Sequence, residues 1–279
     1  MRKPYCIAEA GVNHNGSLKR AHELVDAAAD AGADAVKFQA FHTELMQGRN
    51  MENLVMLYPL EPGKHWWKHL GAHVWERGLD FIVTPFDLKS LDEIQNQWLT
   101  SIKIASSEIT NRELLRNIFA SGFPCIMSTG RATDTEVGRA FMQMTLFPVR
   151  AMLMYCVPDY PTEVDRLDLS RIRKMREFWS TPVGFSDHCD SVETGATAVK
   201  HGAEVLEKHF TLSRKLPGPD HFFSLEPDML KQYIAKAKDE YVAGQTAKSS
   251  DHLGSVAGRS DDGPGEVAGV GPQEPASVR

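Results

Sequence analysis

The sequence predicts an α/β fold, a closed (β/α)8 TIM barrel, on three observations. Short β-rich runs alternate with helical periodicity through most of the chain, the pattern of a parallel sheet with covering helices. Eight such units can be counted in the sequence. The 279 residues, 42% of them hydrophobic, suffice for one barrel, which commonly takes about 250 residues. Periodicity alone leaves a doubly wound open sheet as the alternative, and eight units in one chain favour closure.

In order, strands are predicted over 5–10, 33–39, 79–84, 101–105, 124–128, 150–156, 182–186 and 204–209. Between the first two, Ser17 can cap a helix whose apolar residues Leu18, Ala21, Leu24, Val25 and Ala28 recur at helical spacing before Gly32 ends it. Residues 50–64, with Pro59 and Pro62 among apolar neighbours, read as a long loop over the strand ends. Leu88, Leu91 and Ile94 make the next helical stripe, and Val137, Phe141 and Met144 another. Ser191 is expected to open a helix that closes at Gly202. From Gly244 onward Gly, Ser, Asp and Pro dominate, so 1–243 is expected to form the barrel and 244–279 a disordered, low-complexity tail.

The formal net charge of -6 offers no basic patch and argues against nucleic acid as a partner. An anionic substrate must then be held by local groups. Over residues 1–16, Glu9 and the Asn13-His14-Asn15 cluster interrupt any signal-like apolar stretch, and no window approaches the ~20 apolar residues of a membrane helix. Cys6, Cys125, Cys156 and Cys189 show no CxxC spacing and are expected to be buried thiols in a reducing cytoplasm.

Polar residues gather where the predicted strands end: Glu9, Lys37, Gln39, Thr84, Lys103, Ser106, Ser107, Glu108, Ser128, Thr129, Ser186, Asp187, His188, Glu207, Lys208 and His209. In a barrel these ends share the rim that carries the chemistry. Lys37 and Lys103 follow apolar strand residues, and a buried ammonium needs an anion beside it. A bound phosphate or carboxylate would serve, and so would a structural pairing with Glu9 or Glu108. Ser106, Ser107, Ser128 and Thr129, with the backbone N–H groups around Gly130, add donors suited to phosphate, which favours the anion site.

His188 and His209 end successive strands, so their imidazoles could converge on one metal with positions left open. His65, His69 and His73, at i, i+4, i+8, compete as a zinc-binding face. No carboxylate accompanies them and the outer helices lie away from the rim, so a solvated or partly packed face is the expected reading.

The chain resembles the N-acetylneuraminate (sialic acid) synthases and their relatives that make legionaminic and pseudaminic acids. The likeness runs over 5–241 and rests on Ile7-Ala8-Glu9-Ala10-Gly11-Val12-Asn13-His14-Asn15-Gly16, Val36-Lys37-Phe38-Gln39, Thr84-Pro85-Phe86, Lys103-Ile104-Ala105-Ser106-Ser107-Glu108, Ser128-Thr129-Gly130, Tyr160-Pro161-Thr162, Ser186-Asp187-His188, Glu207-Lys208-His209-Phe210, Gly218-Pro219-Asp220-His221 and Ser224-Leu225-Glu226-Pro227. The resemblance implies that Lys37, Lys103, Ser106, Ser128 and Ser186 hold phosphoenolpyruvate. It implies that His188 and His209 bind a divalent metal, manganese first, with magnesium or cobalt as substitutes. Glu9, Glu108, Tyr160, Glu207 and Asp220 would surround the amino-sugar acceptor and the metal-bound water, with Glu108 the leading base and Glu9 or Glu207 as substitutes. A homodimer is implied in the same way.

Two departures accompany the likeness. Family members usually continue into a small antifreeze-like domain that covers the partner's site in a swapped dimer, and nothing after Glu240 resembles it. Pro158 also stands where a polar residue is common, and the loop after Thr162 is shortened. The function expected is a phosphoenolpyruvate-dependent sugar-acid synthase; the alternative is a lid-less, non-catalytic sugar-binding or scaffold barrel. A metal-dependent hydrolase would need a bridged or three-ligand metal site, which the sequence does not offer.

Overall fold

The computed structural model describes residues 3–46 and 51–256. Its strands are β1 (Tyr5–Gly11), β2 (Ala35–Ala40), β3 (Asp80–Pro85), β4 (Leu99–Ile104), β5 (Cys125–Ser128), β6 (Ala151–Tyr155), β7 (Val183–Asp187) and β8 (Val205–His209). Each pairs in parallel with the next, and β8 pairs with β1, closing the barrel. The fold is the predicted (β/α)8 TIM barrel.

Side chains alternate across each strand. One parity faces outward: Val36 and Phe38, Ile102 and Ile104, Val183 and Phe185 join the large core packed beneath the helices. The other parity faces the barrel axis. Its lower layer is a small apolar cluster of Ile7, Ala35, Ile82, Ile126, Met154 and Val205. Two residues further along each strand the same face presents Glu9, Lys37, Thr84, Ser128 and Glu207. The interior is therefore sealed below and polar above.

Helices α1 (Leu18–Asp30), α3 (Trp66–Glu76), α4 (Leu88–Ile94), α5 (Arg112–Ala120), α6 (Asp134–Met144), α7 (Ser170–Trp179), α8 (Thr194–Lys200) and α9 (Pro227–Val256) connect or follow the strands. Ser17 caps α1 as expected, accepting from the Arg20 backbone N–H. The α6 start carries a full capping box between Thr133 and Glu136.

Two expectations need correction. The segment 50–64 holds a short helix, α2 (Met51–Leu57), and a 3-10 turn at Tyr58–Leu60; residues 47–50 lie outside the described set. Leu57 and Leu60 pack with Val12, Phe41 and Met46, and that burial stabilises a helix too short to be stable alone. The helix expected from Ser191 begins at Thr194. The chain divides into a compact unit over 1–243 and a second unit from Gly244, the boundary expected for the barrel; α9 is assigned over Pro227–Val256, and residues 257–279, where the rest of the expected tail falls, lie outside the described residues.

All four cysteines are free and buried. His65 and His69 are exposed, while His73 binds Asp26 on α1 at 3.0 Å, so this face is a surface contact between helices. No helix among the described residues is long and apolar enough to cross a membrane.

Candidate active site

Strand register assembles the site. Glu9 lies opposite Lys37 on one side and opposite His209 on the other, and Ser186 lies opposite Glu207. Gly11 ends β1 at φ 51°, where a Cβ would stand 3.2 Å from Glu9 Oε1, 3.3 Å from Gln39 Nε2 and 3.5 Å from Asp220 Oδ2. Only glycine takes that conformation freely while letting those side chains close in.

The residues that the resemblance singles out all line one cavity of about 620 Å³: Glu9, Lys37, Lys103, Ser106, Glu108, Ser128, Tyr160, Ser186, His188, Glu207, His209 and Asp220; Thr129 does not, its hydroxyl donating to the Met154 carbonyl at 3.1 Å. Gln39 and Thr84 line it too. So do Met56, Leu57, Arg131 and Cys156, which sequence reasoning missed. Asp187 and Lys208, of the opposite parity, face away and pair with each other at 3.1 Å.

The floor is a charge cluster. Lys37 Nζ sits 2.9 Å from Glu9 Oε2 and 3.7 Å from Glu207 Oε1, and donates to Thr84 Oγ1 at 3.2 Å. Lys103 Nζ donates to Ser128 Oγ at 2.6 Å and lies 3.8 Å from Glu207 Oε1. Ser186 donates to that same oxygen at 2.9 Å. Gln39 donates to Glu9 Oε1 at 3.0 Å. Charges removed from water must be matched in this way.

Environment then sets each proton affinity. Burial raises the Glu9 carboxyl, and the pull of Lys37 offsets it only in part. Burial also acts on Glu207, yet Lys103 and Lys37 together hold it below the ordinary carboxylate range. Against burial, Glu207 and Glu9 keep Lys37 protonated. Lys103, with burial less fully offset by Glu207, is lowered. Burial, then the Glu9 charge, lifts Asp220 to about 7.

His188 and His209 face each other, ring centroids 5.7 Å apart at 62°. Burial lowers His188 to about 4 and holds His209 well below the ordinary imidazole value, with His188 as a second cause. Both rings are thus neutral and able to donate lone pairs. His209 Nδ1 is buried without a hydrogen-bond partner, 3.8 Å from Asp220 Oδ2. Nitrogen–metal bonds of about 2.1 Å put the centroids of two imidazoles on one ion within roughly 6.5 Å of each other, which the pair satisfies. Among the described residues no three His, Cys, Asp or Glu side chains form a metal cluster. The donor set fits an open two-histidine site and no fuller one.

Glu108 is half-buried at the wall, its two oxygens accepting from Ser107 Oγ and Asn111 Nδ2, each at 3.1 Å. The Tyr160 ring packs against His188, centroids 4.1 Å apart and planes tilted by 33°. The cavity thus combines ammonium and hydroxyl donors, two neutral imidazoles and several carboxyl groups of unlike proton affinity. That combination can bind a phosphorylated acid and move protons beside it.

Comparison with known proteins gives a family and several relatives. The NeuB family model matches residues 24–248. The N,N'-diacetyllegionaminic acid synthase of Campylobacter jejuni is 36% identical over 255 residues, covering 85% of this chain and 76% of that one. The N-acetylneuraminate-9-phosphate synthase of Drosophila melanogaster is 32% identical over 242 residues, covering 81% of this chain and 65% of its own. Among solved structures, the sialic acid synthetase of Leptospira borgpetersenii, crystallised with citrate, superposes with a TM-score of 0.84 at 31% identity, covering 92% of this chain and 94% of that one.

Proposed function

The chain belongs to the NeuB family, and from that premise we propose that it condenses phosphoenolpyruvate with an amino-sugar aldehyde of the N-acetylmannosamine type, releasing phosphate and a sialic acid-type nonulosonic acid. One observation carries the reading: Lys37 and Lys103, 3.7 and 3.8 Å from the same Glu207 oxygen, flank a serine-lined floor at the mouth that His188 and His209 share. That floor suits a small dianion, and the imidazoles suit a carbonyl-activating ion.

In the proposed reaction Lys37 and Lys103 neutralise the phosphate and carboxylate, with Ser106, Ser128 and Ser186 donating hydrogen bonds. The C=C electron pair of phosphoenolpyruvate, at its methylene carbon, attacks the aldehyde carbon; the new C–C bond forms as the C=O π bond breaks, and the aldehyde oxygen takes a proton from solvent to become a hydroxyl. Water adds to the cationic carbon left at C2. Glu108, oriented by Ser107 and Asn111, accepts the water's proton. In the collapse the C2 hydroxyl becomes the carbonyl, its proton passes to the departing phosphate, and the bond between C2 and the phosphate oxygen breaks. Tyr160 and Asp220 line the acceptor side. His188 and His209 would hold a divalent ion, manganese by preference, which would supply Lewis-acid activation of the aldehyde.

Phosphate release is the test: the protein is incubated with phosphoenolpyruvate, manganese and, in turn, N-acetylmannosamine, its 6-phosphate and diacetamido hexoses. Phosphate appearing only when an acceptor is present supports the reading. No release with any 2-acetamido sugar rejects it.

A further inference from the structure

Arg131 lies three residues beyond Ser128, between β5 and α6, and lines the cavity with an exposed side chain. Among the described residues it makes no ion pair or hydrogen bond. The other cations of the cavity are matched by carboxylates: Lys37 by Glu9 at 2.9 Å and Lys103 by Glu207 at 3.8 Å. Glu108, the carboxylate on the neighbouring loop, already accepts from Ser107 and Asn111. Nothing in the resting cavity therefore neutralises the guanidinium.

Depth separates Arg131 from the lysines. Lys37, Lys103 and Ser128 are 3–4% exposed, so a three-carbon enol phosphate held by them sits at the floor. The exposed Arg131 stands at the rim, where a longer acceptor must extend to fill a cavity of about 620 Å³. A guanidinium binds phosphate through two parallel N–H donors, and at a solvent-facing rim a dianionic phosphate gains more from it than a singly charged carboxylate.

We propose that Arg131 binds a phosphate on the acceptor, making the chain selective for a phosphorylated amino sugar over its neutral counterpart. The proposal rests on the synthase reading above. Its contact is charge with charge near solvent, so added salt weakens it.

The test compares wild type with Arg131→Met and Arg131→Lys on N-acetylmannosamine 6-phosphate and on N-acetylmannosamine. In wild type kcat/KM favours the phosphate by about tenfold or more; Arg131→Met brings the ratio near 1, Arg131→Lys keeps part of it, and KM for phosphoenolpyruvate moves by less than about twofold. Wild type without preference overturns the proposal. So does a rise in KM for phosphoenolpyruvate in Arg131→Met with the acceptor ratio unchanged, which would give the arginine to the other substrate. Should wild type turn over neither sugar, the synthase reading loses support for these acceptors, and calorimetric titration with N-acetylmannosamine 6-phosphate still decides. Binding about tenfold weaker in Arg131→Met sustains the anion site, and equal binding rejects it.

Discussion

The Nδ1–H of His188 donates to the carbonyl oxygen of Val157 at 2.7 Å. A carbonyl only accepts, so this bond places the ring proton on Nδ1 and leaves Nε2 as the lone-pair nitrogen, 3.4 Å from the Ser186 hydroxyl. With burial holding the ring neutral down to about pH 4, no proton has to leave before a cation binds. A histidine oriented through its other nitrogen is the usual form of a metal ligand.

His188→Ala should therefore weaken manganese binding by on the order of 100-fold, since even partners that merely orient a ligand are worth 10–100-fold. Titration calorimetry with manganese and no substrate reads it. Equal affinity in the variant would remove His188 from the ligand set.

Among the described residues, Glu207 is the one carboxylate within 4 Å of both lysines. Glu207→Gln keeps the shape and deletes the charge, leaving two buried ammonium groups with Glu9 alone. Removing one partner of a buried charge set costs about 3–5 kcal/mol, read as a lower urea midpoint at pH 7. The variant should recover part of that loss at high pH, as Lys103, already lowered by burial, sheds its proton. A midpoint unchanged at pH 7 would show that the cluster is solvated in solution.

How legible was this in the sequence? The strands were, because residues such as Val36, Phe38, Ile102 and Ile104 repeat with period two, and Lys37 and Lys103 stand out as charges inside those runs. Barrel closure then brings every strand end to one rim, so the candidates share a cavity. The helix α2 was not legible: its seven residues are too few for a periodic signal, and packing of Leu57 and Leu60 forms it. Nor was the place of Asp220 beside Glu9 and Gln39, which depends on the β1–β8 register and on Gly11 being a glycine. Arg131 follows Ser128-Thr129-Gly130 as any surface arginine might, and only the path of its loop brings it to the cavity.

Gly130 borders that loop. A Cβ there would stand 2.6 Å from Cys156 Sγ and 2.7 Å from the Cys156 carbonyl oxygen, and backbone cannot give way cheaply. Gly130→Ala should cost about 1–3 kcal/mol and depress turnover, because Cys156 forms part of the cavity wall. Gly195→Ala, whose Cβ would meet the Tyr233 ring at a place that does not line the cavity, should destabilise similarly with KM unchanged. Parallel kinetic losses in both would mean that Gly130 acts through stability alone.

Acid sensitivity should trace in part to His14. Its ring is buried against Trp66, 5.1 Å between centroids; Nδ1 accepts from the Gly16 backbone N–H at 3.1 Å, and Nε2 is buried without a partner. Burial, aided by the charge of Arg20, lowers the imidazole from 6.5 to about 3. Between those values the unfolded chain binds a proton that the folded chain refuses, so stability is full above about pH 6.5 and declines as the pH falls. At pH 5 the loss from this one residue is about 2 kcal/mol. His14→Asn can still accept from Gly16 but does not titrate. Denaturant unfolding at pH 7.5 and pH 5 should show wild type losing about 2 kcal/mol more than the variant over that interval. Equal losses would mean that the ring already takes up its proton in the folded state, with Nδ1 released from Gly16.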